Sequence, residues 1–204
     1  MKSLAYLALA TALMAITAAP AVASEPAGDV DENGKIYIAI SAGPSWPTLE
    51  LQGYEVNAQS GRVGAQVAGS LGLQTSWLRW DVADLAYDTS ETVSRGISAT
   101  TSLLSLGTGF RIGPFGSDYL LCPYVSLGLG GGRLSTNAPG EYSEFSEWGF
   151  QWNAGLGVEI KAFKSLRIGA RYRYRSISID FVATGRGARN ASLDVHTLGI
   201  EILL

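Results

Sequence analysis

The chain has 204 residues, which is room for one domain of ordinary size. Only 16% of the residues are charged, well below the roughly 25% of a typical soluble protein, and 25 glycines argue against a helical bundle or a coiled coil. A net charge of -3 leaves no basic footprint for nucleic acid, and a single Cys and a single His exclude a disulfide framework, a Cys-rich zinc site and a multi-histidine metal cluster.

The first segment, residues 1–23, is typical of a secretory signal peptide. Lys2 supplies a basic start, residues 4–19 form an apolar stretch, and Ala21-Val22-Ala23 is a small-x-small cleavage site. The apolar stretch is shorter than the ~20 residues that a spanning helix needs, so the pattern favours cleavage over a retained membrane anchor.

Residues 24–34 follow as an acidic leader, expected on the periplasmic side. Its carboxylates are Glu25, Asp29, Asp31 and Glu32. Beyond residue 24, the sequence contains no run of about 18 apolar residues, so it predicts no membrane-spanning helix. A mature chain of this hydrophobicity is then either a secreted globular protein or a membrane β-barrel.

From residue 35 onward, apolar and polar or small residues alternate with a period of two, which indicates β-strands. The pattern predicts eight strands, near residues 35–42, 63–73, 78–83, 103–112, 124–130, 150–161, 166–175 and 197–204. Most are near the ~9–11 residues that a tilted strand needs to cross a bilayer.

The connections between these segments alternate in length. Long stretches are predicted at residues 44–62, 88–96, 134–149 and 182–191, and short ones at residues 74–76, 113–118 and 163–165. Short periplasmic turns and longer outer loops are the rhythm of an outer-membrane barrel, whereas a soluble sandwich has Greek-key connections. The sequence therefore predicts an all-β domain over residues 35–204, an eight-stranded antiparallel up-and-down transmembrane β-barrel.

The two faces of the predicted strands differ in charge. Alternation alone fits a soluble lipocalin-like carrier with charges outside, or a membrane barrel with charges inside. In a membrane barrel the charges face inward, because unpaired charge facing lipid costs ~2–4 kcal/mol at the midplane. The secretory signal and the alternating loop lengths favour this membrane barrel. The predicted charge network of the lumen comprises Arg79, Asp81, Arg111, Glu159, Lys161, Arg167, Arg171, Arg173, Arg175 and Glu201.

An eight-stranded barrel encloses an interior just wide enough for side chains to fill it. We therefore expect the arginines to pair with Glu159, Glu201 and Asp81 and to plug the lumen, rather than to line an anion-selective channel. Aromatic residues near the strand ends suit the interfacial girdles of a membrane protein: Trp46, Tyr87, Tyr119 and Trp148.

Four stretches resemble the small porin-like outer-membrane β-barrel family. They are residues 122–130 (CPYVSLGLG), 152–159 (WNAGLGVE), 166–174 (LRIGARYRY) and 196–204 (HTLGIEILL). The resemblance implies the outer membrane of a Gram-negative cell, with lipid and lipopolysaccharide as surroundings and with periplasmic chaperones and barrel-insertion machinery as partners. Members of the family commonly end in Phe, whereas this chain ends in Leu204.

The expected work of such a barrel is structural, or is done by its outer loops on a host or surface ligand. The loop residues singled out are Tyr54, Glu55, Glu91, residues 141–147, Arg186 and Arg189. Alternatives are a narrow channel and, less favoured, a lipid A-modifying enzyme. Enzymes of that kind use a His with a Ser two positions on, whereas His196 is followed by Thr197 and Leu198. Neither a catalytic residue nor a cofactor is expected, and Cys122 is expected to be a buried, inert thiol.

Overall fold

A computed structural model describes residues 34–51, 59–60, 63–94, 97–116, 119–137, 145–163, 165–182 and 188–204. The predicted signal peptide, the leader up to residue 33, and the loop residues Tyr54, Glu55, 141–144 and Arg186 lie outside the described residues. In the part that is described, no helix is long and apolar enough to cross a membrane.

The described chain forms eight long strands and one short one. They are β1 (Lys35–Leu51), β2 (Gln59–Ser60), β3 (Gly64–Gln74), β4 (Leu78–Ser94), β5 (Ile97–Ile112), β6 (Leu121–Asn137), β7 (Phe145–Lys161), β8 (Arg167–Val182) and β9 (Ala188–Leu203). Neighbours along the chain pair antiparallel, β1 pairs with both β3 and β9, and β2 adds only to the far end of β1. The pairing of β1 with β9 closes the sheet, which confirms the predicted eight-stranded antiparallel barrel.

The two ends of the barrel differ in their connections. We call the end with residues 75–77, 113–120 and 162–166 the turn end, and the opposite end the loop end. Short turns are periplasmic and longer loops extracellular in barrels of the outer membrane.

The strands are longer than predicted on the loop side. The predicted loops at 88–96, 134–149 and 182–191 are mostly strand, since only residues 95–96, 138–144 and 183–187 separate the strands there. A strand of 17 residues is about 56 Å long and, tilted by about 40°, rises about 43 Å, beyond the ~25 Å lipid-facing band. Hydrophobic alternation reports only the part of a strand that faces lipid, so the polar extensions gave no signal.

The apolar face of the barrel is its outer face. Leu156, Ile168 and Ile200 are 58%, 42% and 67% exposed, whereas Arg171 and Arg173 are buried inside. The soluble carrier, which requires the reverse arrangement, is therefore wrong. The aromatic residues predicted at the strand ends all lie exposed on the outside: Trp46, Tyr87, Tyr119 and Trp148.

Strand β4 contains a β-bulge that reverses its alternation. The register with β5 shifts between Asp81 and Asp84, and both intervening residues, Val82 and Ala83, are exposed. An extra residue on one strand moves every later side chain to the opposite face. The bulge thus turns Asp84 and Asp88 inward, although Asp88 was predicted to begin a loop.

Strand β1 carries two prolines at the junction that closes the barrel. Its pairing with β9 runs to Ala42 opposite Ile200 and resumes at Ser45 opposite Thr197, so that Gly43 and Pro44 stand out of the ladder. Pro47 lies opposite Val195 in the resumed part. Since proline has no N–H to donate, it is tolerated in a sheet only where a ladder hydrogen bond is dispensable.

One glycine is required by close packing inside the barrel. Gly157 lies opposite Tyr124 on the neighbouring strand, and a Cβ added at Gly157 would lie 2.5 Å from the Tyr124 ring and hydroxyl. Tyr124 is buried and donates a hydrogen bond of 2.9 Å to Glu201. The missing side chain at residue 157 is what lets the ring lie flat against the wall.

We expect Gly157→Ala to lower the free energy of unfolding by about 1–3 kcal/mol, because the methyl group must displace the Tyr124 ring. Urea unfolding of the refolded protein, followed by tryptophan fluorescence, measures the change. The control is Gly69→Ala, where the nearest atom to the new Cβ is 3.8 Å away. Equal losses in both variants would contradict the packing argument.

Candidate functional site

The lumen is filled in layers along the barrel axis, and strand β8 shows their order. From the turn end to the loop end, its inward side chains are Arg167, Arg171, Arg173, Arg175, Ile177 and Ile179. All six are buried. Charged side chains therefore occupy the turn half and the middle, and apolar side chains occupy the loop half.

Arg111 is the centre of the charged layers. It lies on β5 and is fully buried, with Nε 2.9 Å from Asp81 Oδ2 and Nη1 2.7 Å from Glu201 Oε1. Its Nη2 donates to the Ser70 hydroxyl at 2.8 Å. Arg171 lies 3.3 Å from the other oxygen of Glu201, so the two arginines share one carboxylate. Buried charges of this kind are tolerated only when they are paired in this way.

A second group lies nearer to the turn end. Arg79 pairs with Glu159, and its guanidinium lies 4.0 Å from the centre of the Phe115 ring, a cation–π contact. The Arg79 Nε also donates to Gln74 at 2.6 Å. Tyr37 donates to Asp81, which links this group to Arg111.

Three ion pairs join opposite walls of the barrel. In the order of strands around the closed sheet, β4 stands opposite β8, and β5 stands opposite β9. Arg173 and Arg175 of β8 pair with Asp84 and Asp88 of β4, and Arg111 of β5 pairs with Glu201 of β9. The lumen is thus spanned across its full width by pairs of side chains.

Beyond these pairs, the loop half of the lumen is closed by an apolar cluster. All its members are at most 2% exposed, and they are Leu103, Leu134, Ile177, Ile179, Leu193 and Val195. They come from β5, β6, β8 and β9 and point inward. Buried polar side chains, among them Gln151 and Thr101, lie beside the cluster, so the cluster fills the lumen on the side of these four strands.

The structure thus places nine of the ten predicted lumen residues in buried positions inside the barrel, while Lys161 is partly exposed at the turn end. Sequence reasoning missed two carboxylates, Asp84 and Asp88, and the apolar cluster. The signal for the carboxylates was readable: Asp84-Leu85-Ala86-Tyr87-Asp88 alternates in the phase opposite to Arg79-Trp80-Asp81-Val82.

Other residues singled out from the sequence lie elsewhere. Glu91 lies in β4, Glu147 in β7 and Arg189 in β9, and none of these three positions is a loop. Cys122 is a buried free thiol, and Arg167 donates a hydrogen bond to its Sγ. Within the described ranges, no group of His, Cys, Asp and Glu could hold a metal ion.

His196 lies on the outer, lipid-facing side of β9. Its Nδ1 is 2.6 Å from the Tyr172 hydroxyl, and its ring centre is 5.0 Å from that of Tyr174. The Thr197 hydroxyl points into the lumen and donates to the Arg173 carbonyl at 3.2 Å. The hydroxyl next to His196 in sequence is therefore on the other side of the barrel wall.

Residues 8–202 match the family described as outer membrane protein beta-barrel domain. The chain belongs to this family. The match confirms the resemblance to small outer-membrane barrels, and this family indicates the outer membrane of Gram-negative bacteria. Among curated proteins, nothing matches the chain.

Solved structures of outer-membrane proteins are similar to this chain. Neisserial surface protein A superposes with a TM-score of 0.54 at 17% identity, covering 83% of this chain and 96% of that one. OprG from Pseudomonas aeruginosa gives a TM-score of 0.49 at 12% identity, with coverages of 84% and 97%. Ail of Yersinia pestis gives 0.45 at 15%, with coverages of 82% and 98%. At these identities, the likeness concerns the fold alone.

Replacing Arg111 by Met should lower the free energy of unfolding by about 3–5 kcal/mol, because Asp81 and Glu201 lose a partner while they stay buried. The matched control is Arg133→Met. Arg133 is exposed on the outer face and donates to Ser146 at 2.8 Å, so its loss should cost no more than about 0.5 kcal/mol. Urea titration of both variants beside the parent gives the comparison, and a small loss for Arg111→Met would show that the network is dispensable.

Proposed function

We propose that this outer-membrane barrel conducts no solutes and works as a structural element of the membrane or through its loop end. The observation that carries the proposal is the filled lumen: three ion pairs span opposite walls, and the apolar cluster covers them on the loop side. The two layers block a path in series. Passage of an ion requires each layer to be displaced in turn.

The loop end supports a role in contact with an outer ligand. Strands β4 and β5 pair out to Ser94 and Ile97. Ser90 and Thr101 face each other and are buried, whereas Glu91 and Thr100 face each other on the outer side of the hairpin. The Glu91–Thr100 pair places a carboxylate and a hydroxyl on the outer surface, which suits a polar partner such as a host surface or lipopolysaccharide. Only residues 95–96 separate the two strands, so β4 and β5 form a hairpin.

The proposal includes a route by which the mature chain reaches and enters the outer membrane. It is exported by the signal at residues 1–23, passed on by periplasmic chaperones, and assembled by the insertion machinery that recognises its closing strand. In the outer membrane, the turn end then faces the periplasm, because the short turns of such barrels are periplasmic. The leader, residues 24–34, then lies on that periplasmic side.

In planar bilayers, the purified folded protein should show negligible conductance. The reason is that the ion pairs and the apolar cluster of the described residues fill the lumen. The control is Arg133→Gln, on the outer face, which should be equally silent. Steady ohmic channels from the parent would contradict the proposal, and a change in their conductance in Asp88→Asn but not in Arg133→Gln would place the path inside the barrel.

A lipid A-modifying activity is the alternative that His196 raises, since Asp194 shares its outer face. Mass spectrometry of lipid A should nevertheless show the same acyl pattern in cells that express the parent, His196→Asn, or no protein. The physical reason is that Leu198 carries no nucleophile and that the Thr197 hydroxyl is turned into the lumen. Acyl loss that depends on His196 would establish the enzyme instead.

A further inference from the structure

A cavity of about 300 Å³ opens at the turn end of the lumen. Its floor is formed by Tyr37, Arg79 and Phe115, and its rim by the ends of several strands. We call it the turn-end cavity. It lies on the far side of the charged layers from the apolar cluster, so it does not belong to a path through the barrel.

The lining of the turn-end cavity is basic. Four cationic side chains face it from four different strands: Lys35 of β1, Arg79 of β4, Lys161 of β7 and Arg167 of β8. None of the described residues that line it is Asp or Glu. The chain as a whole carries 15 basic against 18 acidic residues, so this concentration of positive charge is local.

The two arginines of the cavity, Arg79 and Arg167, differ in their hydrogen-bond partners. Arg79 already has Glu159 as its partner. Arg167 is buried, and the contacts that the structure gives it are the Cys122 thiol and the carbonyls of Phe115 and Gly116, at 3.5 and 2.9 Å, with no carboxylate within the described part of the chain. A buried guanidinium beside other cations gains most from an anion.

The shape of the cavity selects a peptide rather than an inorganic ion. Phe115 in its floor and Leu203 beside it give the cavity apolar surface among the cations. An acidic peptide segment carries carboxylates at side-chain spacing together with apolar main-chain and side-chain surface, and so matches both parts of the lining.

The chain itself contains such a segment next to the cavity. Four carboxylates stand within residues 25–32, and Glu32 is three residues from Lys35, which lines the cavity. Three residues reach about 10 Å. Because the segment is tethered, it has an effective concentration on the order of millimolar at the cavity.

We propose that the turn-end cavity is a carboxylate-binding site for an acidic peptide, and that residues 25–32 of the same chain are its first occupant. The four cations hold the carboxylates, and Phe115 and Leu203 cover the rest of the segment. A peptide supplied by another molecule has the same chemistry and competes for the same site.

The test uses the folded full-length form from the outer membrane, in detergent, and a fluorescein-labelled peptide with the sequence of residues 24–34. Binding is measured by fluorescence anisotropy at low and high salt. Three proteins are compared. They are the parent, a leader variant (Glu25→Gln, Asp29→Asn, Asp31→Asn, Glu32→Gln), and the leader variant with Lys35→Gln and Lys161→Gln added.

We expect the leader variant to bind the peptide at least about tenfold more tightly than the parent, because its own segment no longer competes. The added Lys35→Gln and Lys161→Gln should abolish that gain, and high salt should weaken it. Adding Arg133→Gln to the leader variant, a charge removed from the outer wall, should leave the gain intact. Retained heat-modifiability on a gel shows that each variant is folded.

Equal binding to the parent and the leader variant, lost with Lys35→Gln and Lys161→Gln, would support the carboxylate site but assign it to a peptide from another molecule. Absence of saturable binding to the leader variant, or binding that ignores the two lysines, would overturn the proposal. Neither result bears on conductance, so the proposed function is tested separately.

Discussion

Ion pairs that cross the lumen couple the walls of this barrel, and the other features of the interior follow from them. Arg173 and Arg175 on β8 reach Asp84 and Asp88 on β4, and Arg111 on β5 reaches Glu201 on β9. A lipid environment forces polar side chains inward, and an eight-stranded sheet leaves only enough room for opposite side chains to meet. Desolvation then favours pairing in the middle of the lumen, since an unpaired guanidinium there would cost several kcal/mol.

The interior also has a polarity along its axis. Charges fill the turn half and the middle, and Leu103, Leu134 and Ile177 are among the apolar residues that fill the loop half. The two halves do different things. The charged half binds the walls together and presents cations at the turn end, whereas the apolar cluster covers the ion pairs on the side of the loop end. A buried ion pair screened from water on one side is less sensitive to external salt than a surface pair.

The sequence predicted most of this fold because lipid imposes a strict pattern. Each strand must be apolar outside and polar or small inside, so the positions of Arg171, Arg173 and Glu201 could be read from alternation once lipid was taken as the outer solvent. Prediction failed where that rule stops acting. Beyond the lipid band the strands of the β4–β5 hairpin are polar on both faces, so Glu91 was mistaken for a loop residue, and at Val82 and Ala83 the bulge shifted the phase. The partners of Arg173 and Arg175 depend on which strands stand opposite each other. That arrangement is set by the closure of the whole sheet into a barrel, so no local segment of the sequence reveals it.

A gap in the pairing and two prolines mark the seam where β1 meets β9. Pro44 stands out of the β1–β9 ladder and Pro47 has no N–H, so this seam is held by fewer main-chain hydrogen bonds than a regular pair of strands. The first and last long strands of the chain meet here, and β9 also carries the Glu201 that Arg111 must find across the lumen. Pairing of β1 with β9 therefore closes the hydrogen-bonded sheet and places Glu201 within reach of Arg111. Until the ring is closed, Arg111 on β5 and Glu201 on β9 stand on strands that the seam has not yet brought together.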